Sequence, residues 1–203
     1  MNREALIVVD YQNDFAEGWS LAVTGARALA PAIQGQMTLT RSQSGLIVAT
    51  RDWHPEKTVH FQRDGGAVWP VHAVAGTPGS DYVPGIDTDM IDVEIYKGYK
   101  NSDDGYSGFE GVDRLSWDPK NGFELAPGAR SLEEILRDAH ISLLRIVWVA
   151  TDFCVFATAK SGAELGYDVE VLRSGIAAVN APWLPSGEDR LRELADMWVR
   201  IVP

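Results

Sequence analysis

The sequence predicts an α/β protein of three layers, with a mostly parallel central sheet between helices. Two observations carry this. Short runs of apolar, β-branched residues recur along the chain, as expected of strands buried on both faces. Stretches with helical spacing separate them, and strands alternating with helices build parallel sheets through crossover units. At 203 residues the chain suffices for one domain, 1–203, with a substantial core.

Ala5-Leu6-Ile7-Val8-Val9 is the first such run and ends at Asp10. Residues 25–42 place Leu29, Ile33 and Met37 on one stripe and predict a helix. Leu46-Ile47-Val48-Ala49-Thr50 is a second buried strand, ending just before Asp52, and 91–95 alternates as a third, reaching Lys97. The Gly-, Pro- and aromatic-rich stretch 55–85 has no such period and is longer than an idle connection, which points to a function. A helix is expected over 131–139, with Ser131 as N-cap and Glu134 completing a capping box. A strand at 144–149, a helix over 153–165, a strand at 168–172, a helix over 187–196 and a strand at 198–202 finish the pattern. Parallel sheets bind ligands beyond the carboxyl ends of their strands, so Asp10, Asp52, Lys97 and Cys154 should meet at one edge.

The hydrophobic fraction of 45% and charged fraction of 23% are those of an ordinary globular protein. No apolar run approaches the roughly 20 residues of a membrane helix. The segment after Met1-Asn2-Arg3-Glu4 is too short for a signal-peptide core, so a cytoplasmic location is expected. A net charge of −11 argues against nucleic acid or an anionic membrane as partner. One cysteine excludes an internal disulfide. Assembly as a homo-oligomer is left open.

Three of the four histidines, His54, His60 and His72, lie in one stretch opened by Asp52. One carboxylate with three imidazoles suits Zn, Fe or Mn better than Ca or Mg, and the lack of a thiolate suits a working metal site. The spacing is no standard motif, and unconnected loop histidines remain an alternative. Cys154 sits at a strand-to-helix junction, where a helix N-terminus lowers a thiol pKa and backbone N–H groups can receive an oxyanion. A lone cysteine is also commonly an inert buried residue. Asp10 can serve as the base for that thiol or as a turn residue. Lys97 is a third candidate. Phe15, Trp69 and Tyr106 can wall a pocket for a flat ring, or simply pack. His140, at a helix end, reads as structural.

These residues together resemble the nicotinamidase/pyrazinamidase family of isochorismatase-like hydrolases. The resemblance runs through Asp10-Tyr11-Gln12-Asn13-Asp14-Phe15, the turn at 18–25, Asp52-Trp53-His54, His60-Phe61 and Trp69-Pro70-Val71-His72. It continues through Gly76-Thr77-Pro78-Gly79, Tyr96-Lys97-Gly98, Tyr106-Ser107-Gly108-Phe109-Glu110-Gly111 and Ala150-Thr151-Asp152-Phe153-Cys154-Val155. The resemblance implies one divalent metal (zinc, iron or manganese) on Asp52, His54, His60 and His72. It implies a catalytic triad of Asp10, Lys97 and Cys154, and a cis Val149–Ala150 peptide that aims the Ala150 and Cys154 N–H groups at a carbonyl oxygen. The implied substrate is nicotinamide or a close analogue, hydrolysed through a thioester. Phe153 stands where relatives often have histidine, Trp53 where they have another aromatic, and Asn101-Ser102-Asp103-Asp104 is more acidic than the pattern. Competing readings are a metal-hydroxide amidase with Cys154 a spectator, an amidohydrolase of another small amide, and a non-catalytic metal- or ligand-binding protein.

Overall fold

Successive side chains of a strand point to opposite faces, so a strand apolar at every position must be covered twice. Strand β1 (Arg3–Val9) obeys this: Ala5, Ile7 and Val9 pack into one hydrophobic cluster, Leu6 and Val8 into another. The computed structural model describes residues 3–62, 69–100, 102 and 105–203. Most of Asn101-Ser102-Asp103-Asp104 therefore lies outside the described residues. Strands β2 (Leu46–Asp52), β3 (Val93–Lys97), β6 (Ile141–Val149), β7 (Asp168–Ala177) and β8 (Arg200–Val202) complete a six-stranded sheet with β1. Its order is β3-β2-β1-β6-β7-β8, and every pairing is parallel. Strands β4 (Leu115–Asp118) and β5 (Gly122–Leu125) form a separate antiparallel hairpin.

Helix α1 (Ala30–Ser42) buries Ile33 and Met37 against Leu6, Val8 and Ile47. Helices α2 (Leu132–Asp138), α3 (Phe156–Glu164) and α4 (Gly187–Asp196) bury Leu132, Ala159 and Leu194 on the opposite face. The three layers follow. From β1 the chain builds outward to β2 and β3, then returns to the other side of β1 with β6. The two directions of growth put their crossover helices on opposite faces, as right-handed connections require. The order thus reverses between β1 and β6, where a crevice opens beyond the strand ends.

Several elements differ from expectation for identifiable reasons. Residues 26–29 form a 3-10 turn and α1 begins only at Ala30, because Pro31 is tolerated in the first helical turn but not deeper. Helix α3 begins at Phe156; residues 151–155, including Cys154, form a π-helical turn. Strand β7 runs on past Leu172 to Ala177, with a register shift opposite Ile146 and Trp148. Trp198 lies before β8 rather than in it, 92% exposed with φ +68°. The capping box forms as expected: Ser131 Oγ accepts from Glu134 N, and Glu134 accepts from Ser131 N. Among the described residues no helix is long and apolar enough to cross a membrane.

Candidate active site

Three strand ends meet beside the point of reversal. Asp52 and Lys97 are the last residues of β2 and β3 and are register partners. Asp10 follows β1 directly, in the left-handed region at φ +54°. Its N–H donates to both the carbonyl (3.0 Å) and the hydroxyl (3.1 Å) of Thr50, whose hydroxyl donates back to Asp10 Oδ1 at 2.7 Å. Thr50 therefore over-determines a backbone conformation that few side chains tolerate. Lys97 Nζ lies 2.9 Å from Asp10 Oδ2 and 2.5 Å from Asp52 Oδ1, and it donates to Gly105 O at 2.8 Å. Cys154 Sγ is 3.5 Å from the same ammonium. All four groups are buried.

Burial raises the Asp10 pKa to about 6, against the pull of Lys97 and with a further push from Asp52. Burial also acts on Asp52, but the Lys97 ammonium and His54 outweigh it and hold this carboxyl well below the usual range. Lys97 is the converse: burial opposes its charge, and the Asp10 and Asp52 carboxylates overcome that and raise its pKa. The Cys154 thiol is pushed up by burial and by both carboxylates, with Lys97 opposing. This corrects the expectation of a thiol activated by a helix N-terminus. Cys154 lies in the π-helical turn that runs into α3, and desolvation beside two anions dominates there.

The three histidines converge. One ring nitrogen from each of His54, His60 and His72 lies within 4.8 Å of the others. Because a carbonyl oxygen can only accept, His54 Nδ1–H donates to Gly98 O (2.9 Å) and His72 Nδ1–H to Pro70 O (2.8 Å). Both rings are thereby oriented through Nδ1, which leaves Nε2 turned to the site. His54 Nε2 is buried without a hydrogen-bond partner, 3.7 Å from Asp52 Oδ2. Burial lowers the His72 pKa to about 4, against the pull of Asp52 and the Pro70 carbonyl, so its ring is neutral. Imidazoles converging on one point, two of them oriented through their second nitrogen, are the donor set of a divalent metal site. Asp52 sits between this set and Lys97, one oxygen toward each. Gly98 permits the arrangement: its φ is +64°, and a Cβ there would fall 2.5 Å from His54 Cε1.

A cavity opens over the thiol and over His60 and His72. Phe15, Trp69 and Tyr106 line it as the sequence anticipates, and so do Ala150, Cys154, Asp52, His60 and His72. Trp69 Nε1–H donates to Tyr106 Oη at 2.8 Å, and Phe15 meets His72 edge-on at 5.5 Å. The Val149–Ala150 peptide is cis.

Sequence reasoning assigned no role to Gln12, Thr50, Asp14, Leu21, Val23 or Val179. Gln12 is wholly buried; it accepts from Asp52 N (2.8 Å) and donates to Asp52 O (2.9 Å) and Ser80 O (3.0 Å). A glutamine three residues beyond a strand buried on both faces is the signal that could have found it. Phe153, noted only as a departure, also lines the cavity, edge-on to Trp69 at 4.8 Å.

Comparison with known proteins gives the same picture. Residues 4–194 match the isochorismatase domain family. The nicotinamidase/pyrazinamidase of Mycobacterium tuberculosis is 39% identical over 190 residues, covering 93% of this chain and 94% of its own. A pyrazinamidase of Pyrococcus horikoshii solved in complex with zinc superposes with a TM-score of 0.81 at 34% identity, covering 98% of each chain. PnC1 from L. infantum, solved in complex with nicotinate, gives 0.81 at 34% identity, covering 99% of this chain and 92% of its own. Sequence, fold and strand-end chemistry agree, and the chain belongs to the isochorismatase domain family.

Proposed function

We propose that this protein is a nicotinamidase, hydrolysing nicotinamide to nicotinic acid and ammonia, and pyrazinamide to pyrazinoic acid. The observation that carries the reading is the thiol of Cys154, set among Asp10, Lys97 and Asp52 at the floor of a small aromatic cavity. Pyrazinamidase and nicotinamidase relatives, one solved with nicotinate, support the choice of substrate. The cavity lining favours an uncharged ring amide. Among its described residues there is no lysine or arginine to hold a substrate carboxylate, and Asp52 would repel one.

Asp10, Lys97 and Cys154 form the catalytic triad in this reading. The Cys154 thiol is neutral at rest, so attack needs a base. Asp10, ionised above about pH 6, takes the Sγ proton, and the Lys97 ammonium stabilises the thiolate. The thiolate bonds to the amide carbon, and the Ala150 and Cys154 N–H groups hold the developing oxyanion. The C–N bond breaks as Asp10 returns the proton to nitrogen, releasing ammonia and leaving a thioester. Asp10 then takes a proton from water, whose oxygen bonds to the acyl carbon. The C–S bond breaks, Sγ recovers the proton, and the acid leaves. Phe15, Trp69 and Tyr106 confine the ring so that its amide faces the thiol.

His54, His60, His72 and Asp52 would hold one divalent cation, zinc, iron or manganese. When bound, the cation supplies a Lewis-acid site for the ring nitrogen, a template role. The test is ammonia release from nicotinamide by metal-loaded wild type and by Cys154→Ala. We expect turnover to fall by at least ~10³-fold in the variant with an unchanged Tm. Equal release from both would overturn covalent catalysis, and none from wild type would overturn the substrate.

A further inference from the structure

The turn that carries Cys154 also holds one wall of the cavity. Asp152 is 4% exposed, and its two carboxylate oxygens each accept a backbone N–H from a distant segment: Oδ1 from Val179 (3.0 Å) and Oδ2 from Asn180 (2.7 Å). Val179 faces the cavity together with Phe153 and Ala150 from the nucleophile turn. A second bond continues the fastening. Asn180, at φ +54°, accepts through Oδ1 from Gly187 N (2.9 Å) at the start of α4. A Cβ on Gly187 would fall 2.6 Å from Ala178 Cβ, so the segment lies close against the helix end. Beyond these anchors the chain turns outward, with Trp183 67% exposed and Leu184 40% exposed.

We propose that Asp152 is a positioning residue for the amidase reaction: by latching residues 179–180 to the Cys154 turn, it fixes the Val179 wall and so sets which ring amides fit. A carboxylate bonded to two N–H groups holds a loop more firmly than packing of a single valine can. The nucleophile and the wall then move as one body, and the cavity keeps its width when the thiol reacts. Asp152 touches neither substrate nor reacting atoms, so its effect is on ring binding and passes through Val179.

The inference rests on the amidase reading, and the test separates the two. Amide exchange at Val179 and Asn180 in the metal-loaded protein reads the latch without any substrate. In Asp152→Asn, which keeps one acceptor, exchange at these two amides should quicken by about tenfold or more. With nicotinamide as probe, KM should rise by about tenfold while kcat stays within about threefold. Amides with an added ring methyl should be penalised less than nicotinamide, as the wall yields. In a Val179→Ala background the same substitution should change KM by less than about twofold, because the wall is already lost. Unchanged exchange would overturn the latch. A fall in kcat at constant KM, or full additivity with Val179→Ala, would overturn its action through the wall. If wild type releases no ammonia, the amidase reading falls and the exchange measurement alone decides the latch.

Discussion

Asp10, Asp52 and Lys97 are carried by strand ends, whereas His54, His60 and His72 hang from the irregular stretch that follows β2. The first group inherits its position from the sheet: Asp52 and Lys97 are paired in register, and Asp10 donates its N–H across to Thr50. The second group has only isolated bridges, His54 with Val74 and Phe61 with Trp69. It is held further by buried polar side chains acting on backbone, with Gln12 on Asp52 and Ser80, and Asp14 Oδ2 accepting from Ala73 N at 2.7 Å. The strand-end region concentrates charge, and the loop region concentrates hydrogen bonds that orient imidazole rings and backbone. Charges need partners and loops need tethers, so the two regions should fail in different ways.

The largest failure should come from removing the shared cation. Lys97→Met leaves Asp10 and Asp52, 1% and 4% exposed, without their common partner. Breaking a buried pair by deleting one member costs about 3–5 kcal/mol. The urea midpoint of the metal-loaded protein should fall accordingly, and ammonia release should be lost with it. A variant as stable as wild type would show that the carboxylates discharge by taking up protons, and the strand-end region would not be the charged cluster described.

The sequence made the strand-end group legible because unbroken apolar runs mark where buried strands stop, and chemistry collects at those ends. The runs ending at Asp10 and before Asp52 needed no tertiary information. Convergence of His60 and His72 on His54 was not legible from spacing, since it depends on Gly98, Gln12 and Asp14, whose contacts lie about 40 to 68 residues away. The β4–β5 hairpin was missed although Asn121-Gly122 marks its turn, with Gly122 at φ +86° and Asp118 Oδ1 accepting from Lys120 and Asn121. Neither strand of the hairpin buries a residue, so no apolar run marks it, and Trp117 is 61% exposed. The direction of the thiol pKa was not legible, because burial and the two carboxylates that the fold sets beside Cys154 outweigh a helix N-terminus.

A smaller effect should appear in the pH profile. With Asp10 raised to about 6, kcat/KM should fall about tenfold per pH unit below that value, as the base becomes protonated. The sign for stability is opposite. A carboxyl whose folded pKa lies above its unfolded value of 3.8 adds stability below 3.8 that is lost as pH rises through about 6. The Thr50 hydroxyl, donating to Asp10 Oδ1, favours the ionised form. Thr50→Val should therefore move the acid limb up by about one pH unit, since a hydrogen bond to a charged group is worth about 1.5–3 kcal/mol. Asp10 N keeps its bond to Thr50 O in that variant. An unmoved limb would assign the titration to some group other than Asp10.

The smallest effect sharpens the contrast most. Asp14 is a buried acid in the loop region, yet its described role is to accept one N–H, from Ala73 beside His72. An amide oxygen can accept that bond as well as a carboxylate, so Asp14→Asn should leave KM within about threefold and cost less than about 1 kcal/mol in a urea titration. Asp14→Leu, which removes the acceptor, should cost about 1–3 kcal/mol and loosen the histidines. If Asn proves as damaging as Leu, charge matters at Asp14, and the loop is held by electrostatics like the strand ends. If only Leu damages, one residue separates the two modes of support: a strand end whose carboxylates need their cation, and a loop whose carboxylate serves only as an acceptor.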